Sequence, residues 1–232
     1  MPECIGVFRA RDAGAATAAA LGRLGYAVAL APVTAVVARE ARPPDRAFAL
    51  LVGSSAPALA FAGAWVARFA TTPLALVGAA TMRAAQARGL HGAADVFPDA
   101  VALVQEVKRF PQGDALYLTG RDRKSLIEEA FAAAGRAITP LETYEARARA
   151  RWSDEEIAAL GACRTFVHYS RRSACLAIAL ARDHGLLGLF AQADHVCLSE
   201  DVAAPLRAEG WRAIRIAAAP DELSLEAALA KR

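Results

Sequence analysis

FRARDAGAATAAALGRLG at residues 8–25 and LTGRDRKSLIEEAFAAAG at residues 118–135 are one segment written twice. Each copy leaves a short apolar run, passes an Arg-Asp pair (Arg11-Asp12, Arg121-Asp122), continues as an alanine-rich helical stretch and closes on glycine, Gly25 or Gly135. A second echo pairs residues 77–89 with 198–210, closing on Gly89 and Gly210. Strand end, turn, amphipathic helix and glycine stop are the units of an α/β chain, so repetition has to be settled before any fold is assigned. Two related halves in one chain predict two similar lobes with a cleft between them.

The rest of the chain carries the same rhythm. Apolar runs at 4–8, 27–30, 48–52, 74–77, 115–118, 137–141, 165–169, 195–198 and 213–217 read as strands. Helices are predicted near 13–24, 56–69, 79–88, 99–109, 123–134, 154–161, 171–184, 200–209 and 221–231. The runs show little polar alternation, as in parallel strands covered on both faces. The expectation is therefore α/β, with two lobes that are each a parallel sheet flanked by helices.

Polar linkers decide how the lobes are threaded. Between the repeats there is only a tight turn, Pro111-Gln112-Gly113-Asp114, whereas charge-rich stretches fall inside each repeat at 39–46 and 145–156. Crossings at equivalent mid-repeat positions predict exchanged chain halves. Residues 1–38 would join 157–232 in the first lobe, and 47–144 would make the second.

Bulk composition bounds the function. The chain has 232 residues, is 56% hydrophobic and has a mean hydropathy of +0.26, enough for a sizeable core and against disorder. A net charge of +3 suits an anionic ligand but is too small to argue for nucleic acid. Residues 47–67 hold no charge and are long enough to span a bilayer. Gly53-Ser54-Ser55-Ala56-Pro57 interrupts them with turn chemistry, so strand, turn and buried helix is the better reading. The N-terminus has no apolar leader pattern, and the expectation is a soluble cytoplasmic protein with no membrane partner. Cys4, Cys163, Cys175 and Cys197 form no CxxC pair and read as free, mostly buried thiols; the four histidines lack metal-ligand spacing.

Open α/β sheets bind ligands beyond the carboxyl ends of their strands. The turns expected there hold Arg9; Ser54; Thr81; Thr119, Gly120 and Arg123; Ser170 and Arg171; and Ser199. Small hydroxyls and open backbone N–H groups at helix starts suit carboxylates or phosphates, although each Ser or Thr alone reads equally as a helix cap worth about 1 kcal/mol. Two cations at a helix start, Arg171-Arg172, oppose the helix dipole and so point to an anion. No Walker or GxGxxG pattern, catalytic triad or carboxylate pair is present. Tyr144 follows a strand and precedes the second crossing, and its phenol could donate a hydrogen bond to a departing hydroxyl. A tyrosine packed at a strand end is the alternative.

Gly120-x-x-Arg123-x-x-Leu126 followed by Gly135, Ile138 and Tyr144 resembles the central signature of the uroporphyrinogen-III synthase family. The stretches LYLTGRDRKSLIEEAFAAAGRAITPLETYEA (116–146), VHYSRRSA (167–174) and LSEDVAAPLRAEGWRAIRIAAAPDELSLEAAL (198–229) resemble its α-proteobacterial form, so that nearly the whole chain is covered. The resemblance implies two α/β lobes joined by two linkers, and a monomer that needs no cofactor. It implies cyclisation of hydroxymethylbilane, a polyanion received from hydroxymethylbilane synthase, with inversion of ring D. Tyr144 would assist loss of the hydroxyl, and the turn residues named above would bind substrate. Three turns depart from the family pattern. Phe8-Arg9-Ala10 stands for Thr-Arg-Pro, Gly53-Ser54 for Thr-Ser, and Ser199-Glu200-Asp201-Val202 for Gly-Pro-x-Thr. The rival reading is a non-catalytic two-lobed protein that binds a tetrapyrrole or another small polyanion.

Overall fold

The computed structural model describes residues 2–230. In chain order its elements begin β1 (Cys4–Val7), α1 (Arg11–Arg23), β2 (Ala27–Leu30), β3 (Thr34–Ala38), β4 (Leu50–Gly53), α2 (Ala56–Ala60), β5 (Leu74–Val77) and α3 (Ala79–Ala87). They continue with β6 (Ala94–Phe97), α4 (Ala100–Gln105), β7 (Ala115–Gly120), α5 (Leu126–Ala133), β8 (Ile138–Ala148) and α6 (Asp154–Gly161). The last are β9 (Thr165–His168), α7 (Arg171–Asp183), α8 (Leu187–Gln192), β10 (Asp194–Cys197), α9 (Glu200–Ala208), β11 (Ile214–Ile216) and α10 (Glu222–Ala230). The chain divides into two compact units, Met1–Ala35 with Arg147–Arg232, and Val36–Ala146. The division runs through β3 and β8, which are neighbours in one sheet.

In the first unit five strands run in the order β11-β10-β9-β1-β2, every neighbouring pair parallel. Alternate residues feed two cores. Ile5, Val7, Val167 and Val196 pack with Leu21 of α1 and Leu225 and Leu229 of α10. Phe8 and Phe166 pack on the other side with Trp152, Leu160, Ile178, Phe190, Leu206 and Trp211. A strand covered on both faces has no solvent side, which is why these runs lack polar alternation. Phe166 and Phe190 stack with centroids 4.2 Å apart, and Phe8 lies 5.7 Å from Trp152.

The second unit has the order β3-β8-β7-β4-β5-β6, with β8-β7-β4-β5-β6 parallel throughout. Its central strands divide their side chains in the same way. Leu51, Leu116 and Leu118 meet Leu59 of α2 and Ala85 of α3, while Leu50, Val52, Ala115 and Tyr117 meet Leu103 of α4 and Phe131 of α5. The closing glycines of the opening repeat do the same job in both units. Gly25 and Gly135 follow α1 and α5 with φ of 89° and 68°, the left-handed stop that glycine adopts without a Cβ clash.

Several elements differ from the sequence reading. The helix expected over 56–69 is broken into α2 and a 3-10 helix, Ala64–Phe69, with Gly63 at the break. The one expected over 99–109 likewise ends early and passes into a 3-10 turn, Val107–Arg109. The strand expected over 137–141 runs on to Ala148, so Tyr144 lies within it and not beyond it. β3, β6 and α8 have no counterpart in the sequence reading. β6 carries Asp95 at a sheet edge, and α8 is only six residues long and holds Gly188. Lys231, at the end of the last expected helix, lies outside the described residues. Among the described residues no helix is long and apolar enough to cross a membrane. The cysteines are free, but Cys175 is exposed and Cys4 half-buried; Sγ of Cys4 lies 3.0 Å from Sγ of Cys163.

Candidate functional site

Because β8, β7, β4 and β5 are parallel neighbours, the carboxyl ends of β7, β4 and β5 bring Thr119 and Gly120, Ser54 and Ser55, and the α3 start with Thr81 to one end of the second sheet, where Tyr144 of β8 pairs with Gly120. Tyr144 is set there by an irregularity in pairing. Thr119 pairs with Glu142 and Gly120 with Tyr144, so Thr143 is an extra residue on β8. Such a bulge re-aims the side chains beside it. The Thr143 hydroxyl, fully buried, donates to the carbonyl of Ala58 in α2 at 2.8 Å, and the Tyr144 phenol lies 3.1 Å from Ser55 Oγ at the start of the same helix.

Gly120 completes the seat. A Cβ there would stand 2.5 Å from Tyr144 Cζ and 2.8 Å from its phenolic oxygen, so the ring rests directly on the glycine backbone. The main chain is held as well: Tyr144 C=O accepts from Arg121 N–H at 3.0 Å and Thr143 C=O from Arg39 N–H at 2.8 Å. Carboxylates and guanidiniums surround this strand. Glu142 faces Arg123 at 3.0 Å and Arg39 at 3.6 Å, and Glu145 faces Arg39 at 2.8 Å and Arg121 at 3.2 Å.

The other expected residues of this unit are engaged internally. Ser54 Oγ is bonded to the phenol of Tyr117 at 2.7 Å. The Thr119 hydroxyl donates to the Gly120 carbonyl at 3.3 Å, and Thr81 is buried against Gly53. Arg123 donates to Glu128, Glu142 and the Gly120 carbonyl. Burial disfavours its charge, but the hydrogen bonds and charges of the two glutamates prevail and raise its pKa above the ordinary value. The side chain thereby braces the turn that carries Gly120.

In the first unit β10, β9 and β1 end side by side with Ser199, Ser170 with Arg171, and Arg9. Arg9 is the hub. Its guanidinium lies 4.1 Å from the Tyr169 ring centroid and donates to Thr17 Oγ1 at 2.9 Å and to Glu222 at 3.3 Å. Tyr169 also donates to Glu222, at 2.9 Å, and its phenol pKa is pushed up to about 12 by burial and by the Glu222 charge. Ser170 caps α7, accepting from Ser173 N–H at 3.1 Å. Arg171 reaches Asp201 at 3.0 Å across exposed surface, and Ser199 starts α9 without a side-chain cap bond.

Sequence reasoning did not single out Ser55, Thr143, Thr17, Tyr169 or Glu222. Only the Ser54-Ser55 doublet carried a local signal. The rest depend on a bulge or on contacts between distant segments.

Fold and strand ends together define a two-unit parallel α/β protein whose sheet edges carry hydroxyl, phenol and guanidinium groups. The chain belongs to the uroporphyrinogen-III synthase HemD family, whose model matches residues 15–226. Among solved structures it is similar to the uroporphyrinogen-III synthetase of Helicobacter pylori 26695, with 15% identity and a TM-score of 0.54 over 100% of both chains. At that identity the likeness concerns the fold. It is similar also to a mutant uroporphyrinogen III synthase of the extremely thermophilic bacterium Thermus thermophilus, with 19% identity and a TM-score of 0.47 over 99% of this chain and 100% of that one. No curated protein matches the chain.

Proposed function

We propose that the protein is an active uroporphyrinogen-III synthase, a cyclising lyase that closes hydroxymethylbilane with inversion of ring D. The observation that carries this reading is the seating of Tyr144, a phenol held beside the end of β7 over Gly120 by a bulge in β8. In the proposed reaction Tyr144 gives its proton to the terminal hydroxyl, the C–O bond breaks and water leaves. The resulting azafulvene is attacked by the substituted carbon of ring D, giving a spiro intermediate. That intermediate fragments and recloses with ring D reversed, and the proton released as the last pyrrole regains aromaticity restores the phenol. No electrons enter or leave, so the chemistry asks for an acid, a shape and exclusion of the unproductive closure.

Arg9, Ser54, Thr81, Thr119, Gly120, Arg123, Ser170, Arg171 and Ser199 are proposed to bind the substrate carboxylates, through side chains or through the backbone N–H groups of their turns. Thr81 and Thr119 are buried and Arg123 is bonded to Glu128 and Glu142, so these three would act mainly by shaping their turns. We place the enzyme in the cytoplasm as a monomer that takes its substrate from hydroxymethylbilane synthase. The test is turnover: wild type should consume freshly made hydroxymethylbilane well above the spontaneous rate, and Tyr144→Phe should slow it about a hundredfold or more, the range for a positioned acid. Binding without acceleration would support the non-catalytic reading. Unchanged turnover in Tyr144→Phe would return the tyrosine to a packing role.

A further inference from the structure

We propose that Ser55 is a positioning residue for Tyr144, holding the phenol in place and donating to its oxygen as the proton leaves; this rests on Tyr144 being the acid. The geometry begins with the 3.1 Å contact between Ser55 Oγ and the phenolic oxygen, in which either atom can donate. Ser55 occupies the N-cap of α2 with extended backbone, φ −156° and ψ 145°, where a serine hydroxyl ordinarily accepts an N–H from the first helical turn. Here it makes no such bond, and the sequence explains why. Pro57, in the first turn, has no N–H, and the Ala58 N–H is given to the Ser55 backbone carbonyl at 3.1 Å. The cap hydroxyl is thus left for the phenol.

The two neighbouring hydroxyls cannot replace it. Ser54 is bonded to Tyr117, and Thr143 donates to the Ala58 carbonyl. That Thr143 bond ties α2 to β8, which fixes the helix start carrying Ser55 relative to the strand carrying Tyr144. A serine hydroxyl can rotate between accepting and donating. While the phenol is protonated, Ser55 can accept from it or donate to it. Once the phenol has given its proton to the departing hydroxyl, Ser55 donates to the phenolate oxygen, and a bond to a charged acceptor is worth more than one to a neutral oxygen. The interaction strengthens as charge develops, so it should act on the chemical step more than on binding.

The test compares Ser55→Ala, Ser55→Thr, Tyr144→Phe and the Ser55→Ala/Tyr144→Phe double variant with wild type on freshly made hydroxymethylbilane. Ser55→Ala should lower kcat about tenfold with KM within about twofold, as expected for loss of one hydrogen bond to a developing charge. Ser55→Thr, which keeps the hydroxyl and suits extended backbone, should recover most of the loss. In the Tyr144→Phe background the alanine change should cost nothing further, because the oxygen it serves is gone. The proposal is overturned if Ser55→Ala keeps wild-type kcat while Tyr144→Phe is slow, or if the alanine change costs the same in both backgrounds. Wild-type turnover in Tyr144→Phe would instead remove the reading on which the proposal rests.

Discussion

Gly120 shows how one residue type can be demanded by one neighbour. Its Cβ position is taken by the Tyr144 ring, whose atoms at 2.5 Å and 2.8 Å cannot yield by a simple rotation while the phenol stays bonded to Ser55. Gly120→Ala should therefore cost turnover more than stability: kcat falls at least about tenfold while the thermal midpoint drops by a few degrees. Steady-state kinetics beside thermal unfolding would check this, and wild-type kcat in the variant would show that the ring's position is unimportant. Arg9 makes the opposite point. Its bonds to Thr17 and Glu222 and its stacking on Tyr169 are made by groups from α1, α10 and the end of β9. A sequence that shows an arginine in a turn says nothing of such a cluster.

At the scale of elements, β8 and α2 are joined through side chains. The fully buried Thr143 hydroxyl supplies a partner for the Ala58 carbonyl, so Thr143→Val keeps the shape and leaves that acceptor unpaired. The expected loss is about 1–3 kcal/mol in denaturant unfolding, the cost of a buried unsatisfied group. No loss would mean that the bond to α2 is dispensable. Much of the element pattern was legible in the sequence, since β2, β5 and α6 occupy the residues expected of them. What was not legible has local physical causes. Gly63 stands at the break in the helix read over 56–69, and β6 is a short edge strand carrying a charge, Asp95. The extension of β8 past residue 141 was obscured by Pro140 and Glu142 and by the charges Glu145 and Arg147, which read as part of the linker at 145–156. Tyr144 drew attention in the sequence by its place between a strand and a charge-rich stretch and by the family resemblance. Ser55 was not, because its contact depends on the bulge at Thr143.

At the scale of the whole molecule, each unit's stability rests on a parallel sheet covered on both faces, and the first unit adds a buried histidine pair. His168 Nε2 and His195 Nδ1 lie 3.0 Å apart with both rings fully buried, and His195 Nε2 faces the Phe190 carbonyl at 2.9 Å. Burial pushes His195 down to about 4 and His168 well below its ordinary 6.5, the latter helped by His195. Both folded values lie below those of the unfolded chain, so the unfolded state binds the extra protons as pH falls. Stability is complete above about pH 6.5 and is lost as pH drops from there towards 4. The free energy of unfolding measured at about pH 7, 6 and 5 should fall with a slope approaching one proton for each imidazole. A flat profile would show that these rings titrate normally.

In the proposed reaction the substrate also closes unaided, but with the wrong outcome. Rate by itself is therefore a weaker witness than product identity. The most direct measurement is the isomer ratio formed when the purified protein receives freshly made hydroxymethylbilane. The account predicts type III uroporphyrinogen as the dominant product at a rate proportional to enzyme. Type I alone, formed at the spontaneous rate, would contradict it.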